Sequence, residues 1–172
     1  MFHKMVITTA GGYRDMGWAE DYDLWLRLAA DGIRFARLPG RLFFWRDRPE
    51  RATRTMQEYT AAAFRACKAY HLKKGFLNGV LEVALAGAGL EGRAWCRTLL
   101  DEGIRVVRWI DVDPKKIGRT LHGAPVVDAR GIVASDGIKM LVTVGTRGAR
   151  AQLRQWADGA GFVEGKDYLC VT

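Results

Sequence analysis

Cysteine is scarce in this chain. Only Cys67, Cys96 and Cys170 occur, an odd number set far apart. Such a set suits a reduced compartment better than a disulfide framework and shows no metal-ligand spacing, so no metal ligands are assigned. The three histidines, His3, His71 and His122, are isolated, and each is read as a surface or capping residue. No apolar run approaches the roughly 20 residues of a membrane span. The start, Met-Phe-His-Lys-Met-Val-Ile, lacks the apolar core of a secretory signal. Repeats and low-complexity tracts are absent. These absences point to the cytoplasm, with the membrane surface as the furthest extension.

What is present supports folding. The chain of 172 residues is 49% hydrophobic and has six Trp, enough for one packed domain or two small ones. Its net charge of +8 is uneven: residues 1–78 carry 14 Lys+Arg against 8 Asp+Glu, and residues 79–172 carry 13 against 11. The excess peaks from Arg41 through Arg54. An Arg-rich loop there could fork onto a diphosphate, lie against anionic lipid headgroups, or be a solvated basic face. No DNA-binding pattern accompanies the charge, so nucleic acid is not an expected partner.

The run Glu20-Asp21-Tyr22-Asp23-Leu24-Trp25-Leu26-Arg27-Leu28 reads as an amphipathic helix ending at Asp31, with Gly32 beyond it as a stop. On a helical wheel Trp18, Tyr22, Leu24, Trp25, Leu26, Leu28 and Ala29 share one arc. Glu20, Asp23, Arg27 and Asp31 lie opposite, with Asp23 and Arg27 at the spacing of a surface pair. Asp21 falls within the apolar arc. It is either a helix cap or a carboxylate used as a base at the rim of a cleft. Residues 5–9 read as a short strand, and Ile33–Leu38 and Leu42–Trp45 as extended segments around Pro39-Gly40. Thr55-Met56-Gln57-Glu58 has capping-box spelling, and a helix should follow it to Lys74, closing at Gly75.

From Val80 the pattern changes. Val80–Ala86 is a short apolar run typical of a buried parallel strand. It feeds Gly87-Ala88-Gly89-Leu90-Glu91-Gly92, a helix to Leu100, and a second strand over Val106–Ile110 ending in Asp111. Glycines, helix and acid stand in the order of a dinucleotide-binding turn. The glycines serve the turn, the approach of a phosphate and helix packing, and the acid serves a ribose hydroxyl. Further strands are read at Ala124–Val127, Ile138–Val144 and Tyr168–Val171, with a helix from Gly145-Thr146-Arg147 to Ala160. Alternation at this spacing predicts a parallel sheet covered on both faces.

Two resemblances add to these readings. Gly11-Gly12-Tyr13, the Glu20–Leu28 run, Asp31-Gly32, Leu38-Pro39 and Phe44-Trp45-Arg46 resemble the C-terminal part of a family 2 glycosyltransferase catalytic domain over residues 2–54. That resemblance implies a GT-A fold and a nucleotide-diphosphate sugar donor. It makes Asp21 the base that deprotonates an acceptor hydroxyl, with Glu20 as its neighbour. Arg46 and Arg48 become substrate contacts, Arg46 at the diphosphate and Arg48 where that family usually has His. The acceptor would be a glycan or a lipid-linked one. The donor half with its Asp-x-Asp metal motif does not precede Gly11, so Mg or Mn belongs only to a complete enzyme, and the chain alone is expected to be inactive. Asp111-Val112-Asp113 is not given that metal role. Trp18, Trp25 and Trp45 would then lack a sheet to pack on, which predicts self-association.

Residues 80–150 resemble the small Rossmann-like domain at the front of bacterial sugar acyltransferases. They are also similar to the cofactor half of sugar oxidoreductases, although NAD has no support beyond the fingerprint. Gly87, Gly89, Gly92, Asp111, Gly145 and Arg147 are the implied ligand residues. The sequence thus reads as an α/β protein, with a partial GT-A-type unit over residues 1–74 followed by a small Rossmann-like parallel-sheet domain over 79–172. The activity read from it is glycosyl transfer, truncated, with a non-catalytic nucleotide- or nucleotide-sugar-binding module as the alternative.

Overall fold

The computed structural model describes residues 3–40, 44, 48–134, 137–146 and 148–172, with the backbone alone at Ala52. The chain forms two compact units, Met1–His71 and Leu72–Thr172. Among the described residues, no helix is long and apolar enough to cross a membrane.

The first unit is helical: α1 (Lys4–Thr9), α2 (Glu20–Ala30), α3 (Ala52–Thr55), a 3-10 turn (Gln57–Tyr59) and α4 (Ala61–Lys74), which runs past the unit's end. The strand read at residues 5–9 is corrected to α1. All strands among the described residues lie between Glu82 and Cys170, so residues 5–9 have no strand to pair with and satisfy their backbone locally. The Thr8 hydroxyl donates to the Lys4 carbonyl at 3.1 Å, and the Gly11 and Gly12 amides close the helix on Thr8 and Ile7. Ile33–Leu38 pairs with no strand either. Of Leu42–Trp45, only Phe44 lies within the described residues. Among the described residues of this unit there is therefore no GT-A-type sheet.

The capping box read at Thr55 is also corrected. Met56 and Thr60 are both extended, which breaks the helix in two. Thr60 supplies the cap of α4 instead, accepting from the Ala63 amide at 3.2 Å. Helices α2 and α4 meet through Tyr22 and Phe64 at 5.1 Å between ring centroids, and Trp18, just ahead of α2, lies 5.5 Å from Tyr70. Leu24, Leu28, Cys67 and Ala69 are buried.

The second unit holds one six-stranded sheet: β1 (Glu82–Ala86), β2 (Arg105–Asp111), β3 (Thr120–Leu121), β4 (Ala124–Asp128), β5 (Lys139–Val142) and β6 (Tyr168–Cys170). The spatial order is β3-β4-β2-β1-β5-β6, and every pairing is parallel except β3 with β4. Helix α5 (Leu90–Asp101) joins β1 to β2, and α6 (Ala149–Gly159) joins β5 to β6. This is a mixed α/β, Rossmann-like arrangement. Four of the five β1 residues are buried, as expected for a central strand with both faces covered. Val83 and Leu85 point to one face. Ala84 and Ala86 point to the other, where they join Ile110, Met140, Val142, Phe162 and Tyr168 in a core cluster.

The sequence reading missed β3. His122 and Gly123 both take positive φ, 47° and 79°, and form the two-residue turn that a tight hairpin requires. The Trp109 indole donates to the Leu121 carbonyl at 2.8 Å and ties the hairpin to β2.

Candidate functional site

The chain leaves β1 toward β2 and β4 on one side, then returns to build β5 and β6 on the other. The point where direction reverses lies between β1 and β5. In open parallel sheets, a crevice at the carboxyl ends of such strands is where ligands bind. A cleft of about 380 Å³ opens there, lined by Gly87, Gly89, Leu90, Glu91, Asp111, Val112, Lys116, Thr143, Val144, Gly145, Thr146 and Trp156 among others. That volume falls within the roughly 300–1,000 Å³ of small-molecule sites.

The three glycines of the fingerprint do different jobs. Gly87 makes the turn out of β1 at φ 110°, and a Cβ there would stand 2.7 Å from Val144 Cγ2. A Cβ on Gly92 would stand 1.9 Å from the Gly87 carbonyl oxygen. Gly92 is therefore fixed by the close passage of α5 over the turn. Gly89 is needed for neither. It caps α5 with φ −87° and ψ −167°, a backbone any residue can adopt, and a Cβ on it would meet nothing within 4 Å. It is exposed and lines the cleft.

Asp111 ends β2 on the opposite wall. Its Oδ2 accepts from the Ala88 amide at 2.8 Å and from Lys116 Nζ at 3.1 Å, and its Oδ1 accepts from the Val112 and Asp113 amides, both at 2.9 Å. The Ala88 bond ties the glycine turn to β2. Burial pushes the Asp111 carboxyl up, but the amides of Asp113 and Ala88 and the Lys116 ammonium outweigh it, so the group sits below its ordinary value. A carboxyl whose folded pKa is depressed contributes stability that is complete above its unfolded value, about 4, and is lost as pH falls through the folded value. The stability difference between wild type and Asp111→Asn is therefore expected to be largest near neutrality and to shrink below about pH 4, as read by denaturant titrations across that range.

The structure thus brings Gly87, Gly89, Asp111 and Gly145 to one cleft and leaves Gly92 beneath it. Arg147 lies outside the described residues. Sequence reading missed several cleft-lining residues. Lys116 was visible in the Asp113-Pro114-Lys115-Lys116 turn but had no assigned partner. Thr143 is buried and donates to the Ala86 and Gly87 carbonyls, both at 3.1 Å. Glu91 places a carboxylate in the first turn of α5.

The residues singled out in the first unit are arranged differently from the wheel. Asp21, expected in the apolar arc, is exposed, and its carboxylate accepts from the next amide, Tyr22, at 2.7 Å. Glu20 is exposed too, and accepts from the Tyr59 hydroxyl at 3.3 Å. The buried acid is Asp23, 2% exposed, which was read as half of a surface pair. The pair with Arg27 does form, at 2.8 Å, but inside the unit. Arg48 is exposed, and Arg46 and Trp45 lie outside the described residues. Trp18 and Trp25 are half-buried.

No protein-family model matches the chain, and no curated protein does. Among the solved structures similar to it are three of RSP, a Rex-family repressor. The repressor crystallised as such has a TM-score of 0.46 at 14% identity, over 100% of this chain and 88% of that one. Its complex with beta-NADH has a TM-score of 0.43 at 13% identity, over 100% and 88%. Its complex with beta-NAD+ and operator DNA has a TM-score of 0.42 at 14% identity, over 99% and 85%. At this distance no residue role is carried across. The findings do correct the reading of the first unit. No family model supports a GT-A unit, and the described residues of that unit hold no strand. The nucleotide-sugar donor, the metal of a complete enzyme, the glycan or lipid-linked acceptor and the catalytic roles of Asp21 and Glu20 rested on that resemblance and are withdrawn with it. The exclusion of nucleic acid rested only on the lack of a recognised sequence pattern and is not carried further; one of the similar structures is a complex with operator DNA.

Proposed function

We propose that residues 72–172 form a nucleotide-binding module that holds a nucleotide diphosphate, NAD(H) first among candidates, in the cleft at the ends of β1, β2 and β5. The observation that carries this is Gly89, a glycine that the fold does not require, at the mouth of the cleft and at the N-terminus of a 12-residue helix. Backbone amides there point outward and favour a phosphate, and a missing side chain allows its close approach.

Asp111 faces the same space and suits a ribose diol. Three of its four donors are backbone amides, and the fourth is Lys116. A ribose hydroxyl would take the place of Lys116, whose ammonium, still 3.7 Å from the Asp113 carboxylate, would then turn to a phosphate oxygen. Glu91 works against an anion in the first turn of the helix, so Glu91→Gln is expected to tighten binding several-fold.

The test is a fluorescence titration of the full chain with NADH, with NAD+ and ADP as competitors. Saturable binding in the micromolar range is expected, weakened at least tenfold by Gly89→Ala and abolished by Gly89→Val, with the melting temperature of the Ala variant unchanged. Absence of saturation by all three ligands would sink the reading and leave the glycines as packing residues alone.

A further inference from the structure

Three side chains in the first unit converge on one point without any role in the cleft. Cys67 and His71 stand one turn apart on α4, and Asp23 faces them from α2. One ligand atom from each lies within 4.8 Å of the others. Cys67 is fully buried, Asp23 is 2% exposed, and the His71 side chain keeps 14% of its surface open. His71 Nε2 lies 2.8 Å from Asp23 Oδ1, while Asp23 Oδ2 is held by Arg27 Nε, also at 2.8 Å. The Trp18 indole is a further, longer donor to Oδ1 at 3.4 Å.

We propose that Asp23, Cys67 and His71 form a binding site for a zinc-class divalent cation. Two ligands at i and i+4 on one helix share a face, and a third from a facing helix completes a three-residue set. A thiolate, an imidazole and a carboxylate are the donors zinc and its neighbours take, whereas magnesium and calcium want oxygen alone. Bonds of about 2.0–2.3 Å put tetrahedral ligands under about 4 Å apart, so small side-chain rotations close the set. The fourth position falls to water, reached past the partly open His71. Arg27 acts from behind, gripping the other carboxylate oxygen and donating to the Ala10 and Gly12 carbonyls. Such an outer partner fixes the orientation of a ligand.

Binding puts the metal where the hydrogen between His71 Nε2 and Asp23 Oδ1 lies, leaves a neutral imidazole with its hydrogen on Nδ1, and sends the Cys67 thiol proton to solvent. The two charges of the cation are then matched by thiolate and carboxylate. Without metal the thiol stays protonated, since burial and the nearby Asp23 carboxylate push it up to about 12. A cation is what would make this sulfur a ligand.

The test uses the full chain, stripped with a chelator and titrated with Co²⁺. One equivalent is expected to give a thiolate-to-cobalt charge-transfer band in the near ultraviolet and the strong visible absorption of tetrahedral cobalt, both bleached by Zn²⁺. Cys67→Ser should lose the charge-transfer band and weaken binding at least tenfold, while a Cys96→Ser/Cys170→Ser double variant keeps both. A weak octahedral spectrum in wild type overturns the proposal, whether or not Cys67→Ser folds. So does a charge-transfer band that survives Cys67→Ser or disappears in the double variant.

Discussion

Gly92→Ala is expected to destabilise residues 72–172 by about 3 kcal/mol, the upper range for overpacking a close-packed site, while Gly89→Ala leaves stability within about 0.5 kcal/mol of wild type. The two substitutions add the same methyl group one turn of chain apart. At Gly92 it would meet the Gly87 carbonyl at 1.9 Å and the Thr143 hydroxyl at 3.0 Å. Neither neighbour can yield. The carbonyl belongs to the turn that the Ala88–Asp111 bond fastens to β2, and the hydroxyl is already committed to Ala86 and Gly87. Helix α5 must therefore lift, drawing Trp95 and Leu99 out of a core in which both are fully buried. At Gly89 the methyl enters open space. Urea unfolding of the two variants measures this directly. Equal stabilities would mean that α5 is not seated on the turn as described, and the geometry of the whole cleft would then be in question.

That contrast also shows what a sequence pattern carries. The fingerprint Gly87, Gly89, Gly92 and the acid at Asp111 were legible because short apolar strands, a helix and turn glycines recur at fixed spacing, and each depends on local chemistry. Division of labour among the glycines was not legible, since it depends on how far a Cβ stands from Thr143 and Val144, just beyond β5, and from the turn at Gly87. The β3 hairpin was missed for a related reason: His122 holds φ 47° where such turns usually carry Asn, Asp or Gly, so Gly123 alone advertises the turn.

The first unit was misread where a helical wheel decides between two acids two residues apart. Asp21 and Asp23 differ by about 200° on the wheel, and the wheel assigned burial by counting apolar neighbours. It gave no weight to Arg27 and His71, which together make the inside of that helix the better place for a carboxylate. Conversely, Met5, Tyr13, Phe35, Leu38 and Phe44 are exposed, so apolar character alone did not predict which side chains are inside. The resemblance to a glycosyltransferase rested on the same run of letters, with Gly11-Gly12-Tyr13 before it and Phe44-Trp45-Arg46 after it.

Asp23→Ala is expected to be the most damaging single change in the first unit, costing about 3–5 kcal/mol, as removal of one partner from a buried ion pair does. The Arg27 side chain, 10% exposed, would keep its charge and, among the described residues, retain only the carbonyls of Ala10 and Gly12. The His71 ring would lose its acceptor. Hydrogen exchange of the α2 amides reads the loss locally, and a rate unchanged from wild type would contradict it. The pH dependence follows from the same contacts. Burial raises the Asp23 carboxyl, but hydrogen bonds from His71 and Arg27 and their charges outweigh it and hold the group below its ordinary value. Its contribution is therefore complete above about pH 4 and is lost as pH falls through the folded value. Wild type and Asp23→Ala should converge in stability at low pH. Pairing Asp23→Leu with Arg27→Met separates charge from packing. If the ion pair matters mainly because each charge needs the other, the double variant recovers much of the cost of the single one. The shortfall that remains measures the Ala10 and Gly12 carbonyls, which only the guanidinium satisfies from α2.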